Sequence, residues 1–63
     1  GPANAEQVAL EAIHAALKAD RYESVISTGE TFVQTWPESE NALRVSYLVK
    51  RAKADDPYVR NCP

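Results

Sequence analysis

Two helical apolar stripes meet at Asp20 with almost no chain between them, and this junction constrains the fold more than any other feature of the sequence. The first stripe is Val8, Ala9, Ala12, Ile13, Ala16 and Leu17, at the three- and four-residue spacing of one helix face. Glu6, Glu11 and Lys18 fall outside it. Asn4 followed by Gln7 has the spacing of a capping box, which starts this helix at residue 5 and carries it to about residue 19. The second stripe is Tyr22, Val25, Ile26, Gly29, Phe32, Val33 and Trp36. Asp20 and Glu23 repeat the capping-box spacing, so Asp20 is expected as the N-cap of a helix over 21–36. A connection of one to three residues forces the two helices antiparallel.

Pro37 ends the second helix, because it lacks an N–H and disfavours helical geometry at Trp36. Gly29 costs about 1 kcal/mol in a helix interior relative to alanine. Its place on the apolar stripe points to close helix–helix contact. A third helix is expected over 40–54, with Ser39 as N-cap and Glu40 favourably placed in the first turn. Its stripe is Ala42, Val45, Val49 and Ala52, flanked by Leu48, while Leu43 and Tyr47 point another way. One face should cover the first hairpin; the other has nothing in this chain to bury it. Lys50, Arg51 and Lys53 complement the dipole of its last turns, and Asp55-Asp56-Pro57 stops it. The fold class is therefore all-α, with three antiparallel helices spanning residues 4–54.

The ends read differently. Gly1-Pro2 has the look of a cleaved-tag scar, so residues 1–3 are expected to be a disordered lead and the chain a fragment whose parent's localisation signals are missing. Residues 55–63 are expected to be a tail, ordered only if Tyr58 and Val59 fold back onto the third helix.

At 63 residues the chain is one domain at most, and a domain of this size buries only about 60% of its unfolded surface. No apolar run approaches the roughly 18 residues of a membrane span. The single Cys62 has no partner for an internal disulfide, and with His14 makes too small a set for a zinc site. Asp55 and Asp56 read as a helix stop, not a catalytic pair. The two glycines, at 1 and 29, form no phosphate loop. His14 has no carboxylate–nucleophile pair around it in the pattern. The reading is a non-enzyme with no cofactor, no metal and no small-molecule substrate.

Charge is unevenly spread. Residues 1–43 carry seven acids against two bases, near −5, and residues 44–63 carry five bases against two acids, near +3. Arg44, Lys50, Arg51, Lys53 and Arg60 raise a nucleic-acid reading, superficially that of a helix-turn-helix. Glu38 and Glu40 in the turn before the third helix would face phosphate, and the sequence pI near 5.2 is wrong for such a module.

The stretch from Tyr22 to Ala42 resembles a tetratricopeptide repeat. It is closest to the variety in bacterial cell-envelope proteins such as the Tol-Pal coordinator and the outer-membrane assembly lipoprotein. Those repeats read roughly Tyr-x-x-Ala-x-x-x-Tyr-x-x-Phe-x-x-x-Tyr-Pro-x-Ser-x-x-Ala, and the matching positions are Tyr22, Val25, Gly29, Phe32, Trp36, Pro37, Ser39 and Ala42. The likeness covers about residues 9 to 54, one helix pair and the first helix of a next unit. Val25 stands where the family has a small residue and Gly29 where it has a bulky aromatic. The resemblance implies a third helix that stacks on or caps the pair, a bacterial periplasmic, envelope or cytoplasmic setting, and a protein-binding role.

Two binding readings follow. In the first, the chain is an adaptor or scaffold module offering a helical face or groove to a partner peptide or helix. In the second, the same surfaces assemble copies of the chain, aided by its acidic and basic halves. In either case the expected contact residues are Leu43, Tyr47, Leu48, Lys50 and Arg51. The expected core is Ile13, Leu17, Tyr22, Val25, Gly29, Phe32, Trp36, Val45 and Val49, with Trp36 the large ring whose loss unfolds the chain.

Overall fold

The computed structural model describes residues 4–56 and contains three α-helices: α1 (Ala5–Lys18), α2 (Tyr22–Thr35) and α3 (Ala42–Asp55). Each is 14 residues, about 21 Å long. The helix α2 lies in the middle, antiparallel to both neighbours, with α1 packed on one side and α3 on the other. The expected lead and the tail beyond Asp56 lie outside the described residues.

The start of α1 follows its sequence signal. Asn4 is the N-cap, and its Oδ1 accepts the Gln7 N–H at 2.7 Å. The junction with α2 does not follow its signal. Asp20 takes a left-handed conformation, with φ of 57°, and does not cap α2. Its N–H donates to the Leu17 carbonyl at 3.1 Å, and the Arg21 N–H donates to the Ala16 carbonyl at 2.9 Å. This pair of bonds is a Schellman motif, which satisfies the last carbonyls of α1 while reversing the chain. Arg21 is the N-cap of α2 and has no side-chain capping bond. The capping-box reading failed because Asp, like Asn, is also a residue that tolerates the left-handed region, and closing α1 was the stronger demand.

Trp36 ends α2, its N–H donating to the Phe32 carbonyl at 2.8 Å. The chain then makes turns through Pro37 to Asn41, with the Ser39 N–H donating to the Trp36 carbonyl at 3.1 Å. Ser39 caps this turn and not the helix: its Oγ accepts the Asn41 N–H at 3.0 Å, and α3 opens at Ala42 with Asn41 as its N-cap. Asn41 Nδ2 also donates to Glu6 Oε2 at 3.3 Å, which ties the start of α3 to the start of α1.

The core takes Ile13 and Ala16 from α1, Val25, Gly29 and Phe32 from α2, and Ala42, Val45, Val49 and Ala52 from α3. Phe32, Ile13, Val25 and Val45 are wholly buried. Leu17, Tyr22 and Trp36, expected in the core, are half-buried and pack against its edge. Trp36 extends the core through its ring contact with Phe32, centroids 5.0 Å apart and planes tilted by 55°. On α1 the buried arc is rotated from the expected stripe: Leu10 is half-buried, while Ala12 and Val8 are exposed.

Gly29 explains how α2 and α3 come together. A Cβ at this position would overlap Val49 Cγ2 and lie 3.4 Å from Val45 Cγ1. The missing side chain is the space into which the two valines of α3 fit.

Candidate protein interface

The inner face of α3 is set by Ala42, Val45, Val49 and Ala52, at steps of three and four. At about 100° per residue, Leu43 and Tyr47 fall on the opposite side of the helix. They stand four residues apart and point away from α2, Leu43 at 84% exposure and Tyr47 at 57%. Only one other large apolar side chain among the described residues is comparably open: Val8 on α1, at 51%.

Cations border the pair on one flank and at its C-terminal end. Arg44 and Arg51 are exposed along one flank, seven residues apart, and exposed Lys50 continues the line of Leu43 and Tyr47 toward the C-terminus. The Arg51 guanidinium is held above its ordinary pKa, first by its hydrogen bond and charge interaction with Tyr47 and then by Asp55. Arg51 Nη2 and Asp55 Oδ2 are 3.7 Å apart. Lys53 is on another side, bridging to Glu30 of α2 at 3.1 Å.

Of the five expected contact residues, the structure gathers Leu43, Tyr47, Lys50 and Arg51 on one exposed face. Leu48 is not on it. Leu48 is half-buried and packs against the core, because around the helix it lies nearer to Val45 than to Tyr47. Arg44, seen in sequence only as part of a basic cluster, is exposed on the flank of the same face.

A second concavity runs along α2, an open groove of about 1110 Å³. Its lining includes Tyr22, Ile26, Ser27, Glu30, Thr31 and Gln34. Tyr22 and Ile26, both half-buried, give it an apolar floor among hydroxyl and charged side chains. Among the described residues no group of three or more His, Cys, Asp or Glu is placed to hold a metal, and no helix is long and apolar enough to cross a membrane. His14 is exposed, and Cys62 lies outside the described residues.

Comparison with protein families places this geometry. The family model for YfiO, outer membrane lipoprotein, matches residues 1–57. The chain belongs to that family. No curated protein and no solved structure matches it. Membership of the YfiO family agrees with a tetratricopeptide-like helical architecture of the bacterial envelope, and with a role in protein–protein contact. Gly29, which departs from the repeat pattern, is where this YfiO-family chain receives the two valines of α3.

Proposed function

We propose that the chain is a non-catalytic protein-interaction module of the bacterial envelope, presenting the outer face of α3 to a partner peptide or helix. The observation that supports this most is the exposure of Leu43 and Tyr47, 84% and 57%, on a helix whose other large apolar side chains are buried or half-buried. Two neighbouring apolar side chains at four-residue spacing are the anchors of a helix laid alongside. Family membership supports the same reading, through protein partners at the envelope.

Photo-crosslinking tests the face. A photoreactive residue at position 43 or 47 is expected to trap discrete protein adducts in an envelope fraction, whereas one at Ser27, exposed on α2, is expected to trap none. Equal trapping at the three positions would remove the assignment. A second reading, in which copies of the chain pair, draws on the acidic bias of residues 1–43 and the basic bias of residues 44–63. Light scattering at two concentrations separates it from the first: a constant 6.9 kDa leaves the face to a foreign partner, and a rising mass gives it to another copy.

A further inference from the structure

We infer that the outer face of α3 receives an acidic amphipathic helix of another protein, and not a second copy of this chain. This rests on the interaction reading above and names the chemistry of the partner. Leu43 and Tyr47 form an apolar ridge on one side of a 14-residue helix. Arg44, Lys50 and Arg51 border that ridge, and Asp55 lies 3.7 Å from Arg51. Glu40, in the turn before α3, stands off the N-terminal end of the ridge. A helix lying along this face meets a net positive border, so its apolar stripe must be flanked by carboxylates to match it.

Among the described residues no other face offers that complement with open apolar anchors. A symmetric dimer through α3 would set Arg44, Lys50 and Arg51 against the same residues of the other copy, like charge on like. A head-to-tail pair would need an exposed apolar stripe with acidic flanks elsewhere on the described residues. The exposed side of α1 offers Val8 alone, beside Glu11, His14 and Lys18. The exposed side of α2 carries Ser24, Ser27, Thr31 and Gln34, and its groove holds Tyr22 and Ile26, both half-buried, beside Glu23 and Glu30. Neither helix presents two large apolar side chains as open as Leu43 and Tyr47.

The test uses two synthetic helical peptides of roughly twenty residues, long enough to hold a helix in isolation. Both carry leucines at i, i+4 and i+7; one has glutamates flanking the stripe and the other lysines. Binding to the 63-residue chain is read by fluorescence anisotropy, with light scattering on the same samples. The glutamate peptide is expected to bind roughly tenfold or more tightly than the lysine peptide, with the gap narrowing at about 0.5 M salt as exposed charges are screened. Leu43→Ser with Tyr47→Ser is expected to reduce binding of the glutamate peptide by a comparable factor while leaving helicity unchanged, since both side chains are exposed. Equal binding of the two peptides would overturn the inference and leave the interaction reading standing. Binding by neither would overturn both. A mass that rises with concentration in the wild type and not in the double variant would give the face to a second copy and end the inference.

Discussion

The two seams of this molecule, α1 against α2 and α2 against α3, have opposite construction. The first is closed by the backbone. A Schellman turn with Asp20 in the left-handed region brings α2 back along α1 within three residues. The second has a longer connection, and a side-chain fit carries more of its definition: Val49 and Val45 occupy the space left by Gly29. A seam made by a turn tolerates substitution along its length, because the local geometry aligns the helices before they pack. A seam made by a notch depends on one residue having no side chain. Perturbations of the two should therefore differ in sign as well as size.

The largest effect is expected where α2 serves both seams. Phe32 is wholly buried in the common core, and Phe32→Ala is expected to cost about 3–5 kcal/mol, enough to unfold a domain this small. Trp36→Ala is expected to cost less, since the ring is half-buried at the core's edge. Thermal melts followed by circular dichroism check the order. If Trp36→Ala melts below Phe32→Ala, the placement of the two rings is wrong.

The notch alone is broken by Gly29→Ala. Alanine favours helix by about 1 kcal/mol over glycine, which acts to stabilise α2. Against that, the new methyl overlaps Val49 Cγ2, and a β-branched valine packed in the core has little freedom to yield. Overpacking costs about 1–3 kcal/mol, so packing wins and the variant is expected to be less stable. Adding Val49→Ala should recover part of the loss, giving a favourable coupling energy between the two sites. If Gly29→Ala raises the melting temperature, the α2–α3 contact is looser than described and helix propensity governs the position.

How legible these features were depended on the distance over which each acts. The three helices followed from periodicity and from Pro37, which are local signals. Gly29 on an apolar stripe pointed to close approach, yet no local pattern names Val49 twenty residues away as its neighbour. The rotation of α1 toward Leu10, away from Val8 and Ala12, had a signal in the 10, 13, 17 spacing of Leu10, Ile13 and Leu17. Alternative apolar arcs on an alanine-rich helix have similar hydrophobicity, and the choice is made by what α2 presents. The bond from Asn41 to Glu6 joins residues 35 apart and has no sequence signature. On α3, the opposed directions of Leu43 and Val45 are fixed by helix geometry alone, so that face was readable; Leu48 was harder to assign because it lies between the two sides.

The smallest effect, and the one of opposite sign, belongs to the turn. At Asp20 two readings predict different signs for the same substitution. If Asp20 capped α2, Asp20→Gly would cost a few tenths of a kcal/mol, as is usual when a capping oxygen is lost to glycine. In the observed turn Asp20 sits at φ of 57°, where a residue with a Cβ is strained by up to about 1–2 kcal/mol and glycine is not. Glycine gives back part of that relief, about 0.4–1 kcal/mol, by adding freedom to the unfolded chain. The net expectation is a gain of a few tenths to about 1 kcal/mol, read as a higher midpoint in urea with an unchanged slope. Arg21 needs no help from the lost carboxylate, since α2 begins there without a side-chain cap. A lower midpoint for Asp20→Gly would mean that the carboxylate stabilises the start of α2 after all. The first seam would then rest on a side chain, as the second does, and the contrast between them would fail.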